Sequence, residues 1–309
     1  MVRVFVPIPM EYNILNKPVK KIQRVVYLGT PELAVLPLIS LVNAGYEIPL
    51  VISRRDKRRG RGKVQTSSPV KNEAQRLGIP VSSNMDDIQS IQADIGIVIA
   101  FGELIPTSIL SYLKMINMHF SLLPRWRGAA PLERAILAGD KSTGVCIMDV
   151  EETLDTGGVY RSVKVPIEPE ATLGELQNIC ISRGTELLLE CLKRGFASPV
   201  AQAGEVTYAH KISSNDLEIV WTDSAEQILR KVRLGRAWTT IGGKRLNVRD
   251  ANIFKDTDLP AGERSGNLVG SGDGTVELVT VQPEGKKELS AKDWINGLKP
   301  EIYEFTEHG

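Results

Sequence analysis

Asn117, His119 and Asp155 are the residues of this chain whose types could combine into carbonyl chemistry. A carboxamide can hold a developing oxyanion, an imidazole can move a proton near neutral pH, and a carboxylate can orient that imidazole. The set suits acyl transfer to an amine and requires no metal. A lone histidine is more often a hydrogen-bonded structural residue than a catalyst, so its setting has to decide. The apolar run Ala93 to Phe101 precedes the motif, Met115 to Phe120 reads as a short strand, and a Pro-containing loop from Ser121 to Gly128 follows at once. Loops at the carboxyl ends of strands in open α/β sheets are where ligands bind. Cys146 offers a covalent alternative, but nothing electropositive flanks it in sequence to lower its pKa. Direct transfer is therefore the expected route.

The elements that must hold these residues follow from periodicity. Val25 to Gly29 reads as a buried strand, with Thr30-Pro31 as N-cap and first turn of a helix reaching Asn43. Ile48 to Ser53 is a second strand, Ser68 to Leu77 a helix ended by Gly78, Ile79 to Val81 a short strand, and Ala93 to Ala100 a central one. Pro131 to Ala138 is a helix, while Thr143 to Asp149 and Val159 to Val165 are strands that pair with each other. Thr172 caps a long helix whose apolar side includes Leu176, Cys180, Leu187 and Cys191. Alternating strands and helices imply a Rossmann-like, doubly wound and mostly parallel sheet. Beyond an irregular stretch around 196–214, four short strand patterns run from Trp238 to Gln282, with Gly242-Gly243 and Asp273-Gly274 as turn signals. They predict a smaller β-barrel of oligonucleotide-binding (OB-like) type, flanked by helices over Ala225 to Leu234 and Ala291 to Leu298. The expected divisions are an N-terminal extension at 1–22, a catalytic domain at 23–197, a linker at 198–214 and the barrel domain at 215–309.

The 309 residues are 42% hydrophobic and 24% charged with net charge +1, as in an ordinary soluble globular protein. That excludes a disordered or fibrous chain, and any nucleic-acid surface must come from local clustering. The cysteines Cys146, Cys180 and Cys191 lack Cys-x-x-Cys spacing, which argues against a disulfide framework or a zinc site, so reduced, buried thiols are expected. His210 and His308 are not expected to be ligands. No apolar run approaches the ~18 residues of a membrane span. Pro7 and Pro9 interrupt the apolar N-terminus, so a signal peptide is not expected there and a cytoplasmic location is. One segment is strongly charged: Arg54 to Lys63 holds seven basic residues and one acid, with Gly60 and Gly62 permitting close approach to a phosphate. Arg230, Lys231, Arg233, Arg236, Lys244, Arg245 and Arg249 add a weaker basic signal, and the two could grip an RNA from two sides.

With these motifs in order, the chain from about Val25 to Gly297 resembles the methionyl-tRNA formyltransferases. The densest likeness runs from Ile116 to Gly158, and Leu28-Gly29-Thr30-Pro31, Gly60-Arg61-Gly62-Lys63 and Ser68-Pro69-Val70-Lys71 fall in the family's order. The resemblance implies 10-formyltetrahydrofolate as formyl donor, methionyl initiator tRNA as acceptor and no metal. It assigns catalysis to Asn117, His119 and Asp155. Ser121, Leu122, Leu123 and Pro124 would line the folate site, with Phe101, Gly102, Glu103 and Ile105 beside the pterin. Arg61 would approach the acceptor end of the tRNA, with Arg58, Arg59 and Lys63 contributing to the same basic loop. On this basis the aminoacyl amine would attack the formyl carbon directly, with Asn117 donating to the oxyanion, His119 polarising the carbonyl or handling the proton, and Asp155 positioning His119. Departures from the family pattern are Arg58-Arg59 where Pro and Ala are common, Gly158 where an acid is common, and the N-terminal extension. Asn-x-His and the distant Asp are shared with formyltransferases acting on sugar nucleotides, which keeps a small-amine acceptor as the alternative. A non-catalytic RNA-binding protein on a degenerate enzyme fold is the reading from another class. A monomer is expected by default.

Overall fold

The computed structural model describes residues 21–59, 64–298 and 305–306. Val25–Gly29 (β1) is fully buried because parallel strands covered on both faces must be apolar throughout. The chain continues through Val35–Asn43 (α1), Val51–Ile52 (β2), Lys57–Arg59 (β3), Val64–Thr66 (β4), Pro69–Arg76 (α2), Val81–Ser82 (β5), Ile95–Ile99 (β6) and Thr107–Tyr112 (α3). Next come Met115–His119 (β7), Arg127–Gly128 (β8), Pro131–Ala138 (α4), Ser142–Asp149 (β9), Val159–Pro166 (β10) and Leu173–Arg194 (α5). One sheet takes the order β10-β9-β7-β6-β1-β2-β5. Its pairs are parallel from β7 to β5 and antiparallel at β7–β9 and β9–β10, as expected of a mostly parallel, doubly wound sheet with a mixed edge.

Alternate residues of β1 feed two cores. Val25 and Tyr27 pack on one face with residues of α1, α2, α4 and α5, while Val26 and Leu28 pack on the other with Ile88, Ile105 and Ile109. Strand order reverses between β1 and β6, the place where a doubly wound sheet opens a crevice at its carboxyl ends. Thr30 sits on that crevice. It does not cap a helix: the chain passes through a 3-10 turn at Glu32–Ala34 first, and the Thr30 hydroxyl donates to the Phe101 carbonyl at 3.2 Å. Tertiary contact across the strand ends therefore prevails over the local capping pattern.

Part of the basic segment is also more ordered than a loop. β3 pairs antiparallel with β4, setting Arg58 opposite Gln65 and Arg59 opposite Val64, whereas Arg61 and Lys63 lie outside the described residues.

After α5 the chain forms Tyr208–Ala209 (β11), Ala225–Arg233 (α6), Ala237–Ile241 (β12), Lys244–Phe254 (β13), Arg264–Ser265 (β14), Leu268–Gly270 (β15), Thr275–Pro283 (β16), Leu289–Ser290 (β17), Ala291–Asn296 (α7) and Phe305–Thr306 (β18). A separate antiparallel sheet takes the order β14-β15-β16-β13-β12-β18, with β17 on β16. Its core, around Trp221, Ile228, Val248, Leu278 and Phe305, is distinct from the two cores of the first sheet. The capping pair Ser224 and Gln227 starts α6 by bonding reciprocally to each other's backbone. Arg134 of α4 joins the two parts through Asp216 at 2.7 Å, and Leu217, Leu234 and Trp238 pack into the first part's core.

The stretch 198–214 is not irregular throughout. Val200 exchanges backbone hydrogen bonds with Val159, and β11 pairs in parallel with β8, placing Tyr208 beside Arg127 and Ala209 beside Gly128. Local composition conceals this because the partners lie about forty and about eighty residues upstream.

Candidate active site

β7 carries Asn117 and His119 to the carboxyl end of the sheet, and the turn after β9 brings Asp155 to meet them. Asn117 Nδ2 lies 3.5 Å from Asp155 Oδ1, and His119 Nδ1 lies 3.7 Å from Asp155 Oδ2. The His119 and Asp155 side chains are only 6% and 11% exposed, so imidazole and carboxylate meet in a poorly hydrated setting. The other ring nitrogen of His119, Nε2, contacts the Trp126 carbonyl oxygen at 2.9 Å. A carbonyl can only accept, so Nε2 carries the hydrogen and Nδ1 is left to face Asp155. Asp155 Oδ2 also accepts from the Gly128 amide at 2.8 Å.

The loop after His119 is built to hold that carbonyl and that amide. Trp126 takes φ +63°, Asp155 +52° and Ala100, at the end of β6, +46°. These left-handed conformations cost energy in residues other than glycine and cluster at functional sites when the surroundings enforce them. The enforcement is visible around Trp126: its indole N–H donates to Asp140 at 2.8 Å, and its amide donates to the Thr207 hydroxyl at 2.9 Å. Arg125 forms a two-pronged pair with Asp140 and stacks 4.5 Å from the Trp126 ring centre. Ala129 and Ala130 both donate to the Ala209 carbonyl, and Gly128 is required beneath it because a Cβ there would lie 2.8 Å from that oxygen.

The donor-site candidates are distributed differently. Ser121 is fully buried and donates its hydroxyl to the Arg125 carbonyl, so it shapes the loop. Leu122 and Leu123 are half-buried and Pro124 buried, and Leu122 packs against Gly144 of β9. Phe101 and Ile105 are core residues, whereas Gly102 and Glu103 are exposed, Glu103 being paired with Arg54 at 2.9 Å. A cavity of about 370 Å³ opens between α3 and the segment leading to Asp155. Thr107, Leu110, Ser111 and Val150 to Thr153 line it, without Asn117, His119 or Asp155.

Cys146 sits opposite His119 in the β7–β9 register, but it is 2% exposed and burial pushes its thiol up to about 11. It is a poor nucleophile there. Among the described residues no group of three or more His, Cys, Asp or Glu is placed to hold a metal, and no helix is long and apolar enough to cross a membrane.

The residues that hold the site but were not singled out from sequence are Asp140, Gln202 and Thr207, together with the Trp126 carbonyl and the Gly128 amide. Gln202 Nε2 donates to the carbonyls of Asp155 at 2.9 Å and Gly157 at 2.8 Å, while its Oε1 accepts from Arg127 at 3.0 and 2.7 Å. Its position in a stretch without apolar periodicity carries no signal in sequence.

A family described as formyl transferase matches residues 23–192, and one described as formyl transferase, C-terminal domain, matches 211–299. The chain is 39% identical to the methionyl-tRNA formyltransferase of Jannaschia sp. over 293 residues, covering 89% of this chain and 97% of the relative. Its fold recurs among solved structures. HypX from Aquifex aeolicus, in complex with tetrahydrofolic acid, superposes with TM-score 0.65 at 18% identity, covering 89% of this chain and 47% of that one. The N-formyltransferase from Helicobacter canadensis, in complex with folinic acid and dTDP-3-aminofucose, gives 0.64 at 17%, covering 83% and 99%.

Proposed function

Because the chain belongs to the methionyl-tRNA formyltransferase family, we propose that it transfers the formyl group of 10-formyltetrahydrofolate to the amino group of methionyl initiator tRNA. The observation that carries the reading is the convergence of Asn117 and His119 on the two oxygens of one carboxylate, Asp155, at the carboxyl end of the sheet.

Asn117 donates from Nδ2 to the formyl oxygen as it becomes an oxyanion, a role that suits a preorganised donor in a poorly hydrated site. The α-amino group, with a reference pKa of about 7.7 to 8.0, attacks the formyl carbon. A new C–N bond forms, the bond to the folate nitrogen breaks, and the proton lost by the amine is passed to that nitrogen. His119 serves this transfer through Nδ1, because Nε2 is committed to the Trp126 carbonyl. The Asp155 carboxylate stands beside Nδ1 while the proton moves and interacts favourably with positive charge developing on the ring.

Half-buried Leu122 and Leu123, exposed Gly102 and Glu103, and the cavity beside the Asp155 segment offer the mixed apolar and polar lining that a folate requires. Ser121, Pro124, Phe101 and Ile105 shape these walls from beneath. Arg58 and Arg59 in β3, with Arg61 and Lys63, hold the tRNA acceptor end near the crevice through phosphate contacts. The parts of the chain are then an extension at 1–22, a catalytic domain at 23–197, a linker at 198–214 and a tRNA-binding OB-like domain at 215–309. The protein works as a cytoplasmic monomer without a metal.

A formyl-transfer assay with methionyl initiator tRNA and 10-formyltetrahydrofolate tests the reading. Formylation of the charged tRNA is expected, and transfer only to amino sugars would overturn it.

A further inference from the structure

We infer that Gln202 is a positioning residue of the active site, through which the segment joining the two parts of the chain holds Asp155 in place. The inference rests on the proposed use of Asp155 and adds a group outside the Asn-x-His and Asp motif.

Three features point to it. Asp155 adopts φ +52°, a left-handed conformation that needs outside support, and the two carbonyls flanking that turn, of Asp155 and Gly157, both accept from the single amide of Gln202. The same side chain accepts both contacts from Arg127, whose neighbour Gly128 donates to Asp155 Oδ2. Gln202 is therefore the common partner of both walls that hold the carboxylate. Finally, Gln202 is itself fixed between backbone pairings on either side, Val200 with Val159 and β11 with β8.

The side-chain chemistry is specific. A glutamine is needed because one end must accept from a guanidinium while the other donates to two carbonyls. Glutamate preserves the first task and loses the second, since an ionised carboxylate cannot donate and would face two carbonyl oxygens.

Two measurements on the full-length protein test this. Amide exchange across residues 152–158 reads the turn without any substrate. In Gln202→Glu it is expected to quicken about tenfold or more, and unchanged exchange overturns the inference even if the enzyme proves to use another acceptor. Kinetics then read the consequence. Relative to the parent, Gln202→Glu should lose about tenfold or more in kcat, with KM for folate and tRNA within about twofold. A loss confined to KM, or kcat within about twofold of parent, overturns the inference. Gln202→Glu combined with Asp155→Asn should be no slower than Asp155→Asn alone, because both act on one group, whereas independent, multiplying losses overturn it. If the parent forms no formyl-methionyl-tRNA, the functional reading fails while the exchange measurement still judges Gln202.

Discussion

The shortest contact to the Asp155 carboxylate comes from the backbone of Gly128, at 2.8 Å to Oδ2, and the His119 ring stands 3.7 Å from that same oxygen. The carboxylate is thus anchored by an amide and stands beyond hydrogen-bond distance of the imidazole, so in the proposed mechanism its charge is what reaches the ring. Asp155→Asn keeps an oxygen for the Gly128 amide but removes that charge. It should fold like the parent and lose about a hundredfold or more in kcat, the usual scale of acid–base assistance. Circular dichroism and steady-state formylation check both halves, and a fully active, folded variant would remove Asp155 from the mechanism.

Asn117→Ala removes the donor assigned to the oxyanion. Turnover is expected to drop on the order of a hundredfold or more, with folate affinity within a few-fold of parent by fluorescence titration. Near-normal turnover would show that another group holds the oxygen.

Cys146→Ser should retain activity within about twofold. With its thiol pushed up to about 11, only about one molecule in ten thousand carries the thiolate at pH 7. A collapse of turnover in a folded serine variant would revive covalent transfer.

Charge removal in the basic hairpin reads the acceptor. Replacing Arg58 and Arg59 by glutamine should raise KM for tRNA, leave KM for folate unchanged, and flatten the dependence of tRNA binding on salt. An unchanged salt slope would separate this hairpin from the tRNA.

The contact between Arg134 and Asp216 has a pH signature. The Arg134 guanidinium holds the Asp216 carboxyl down to about 2, below the ~3.9 of an unfolded aspartate. A depressed carboxylate stabilises the fold above its unfolded pKa, and that contribution fades as pH falls from about 4 toward 2. The melting-temperature gap between parent and Asp216→Asn should therefore be full at pH 6 and shrink through that window. A gap independent of pH would show that ionisation of Asp216 contributes nothing.

Much of the frame was legible where local signals and tertiary needs coincide. Pro131 at the first turn and Gly139 in the left-handed conformation bracket α4 where sequence places it, and Thr172 with Glu175 closes a full capping box at the start of α5. Thr30 misleads because its hydroxyl serves the crevice and not a helix end. At the site, the motif brings Asn117, His119 and Asp155 together as expected. What sequence could not display is that a carbonyl and an amide, those of Trp126 and Gly128, hold two of them. Backbone atoms are present at every position, so composition gives them no mark. Gln202 stays hidden for a related reason, since its partners come from β8 and from the turn after β9, both distant in sequence.

The two-residue pairing of β11 with β8 bears on where the molecule can be divided. A fragment cut at the end of α5 would retain Asn117, His119 and Asp155 yet surrender Thr207 and Ala209, which accept from Trp126, Arg127 and Ala129. Any fragment meant to keep the loop that holds these three residues therefore has to reach at least Ala209. Any exchange of the C-terminal part for another has to leave the segment from Val200 to Ala209 with its original host.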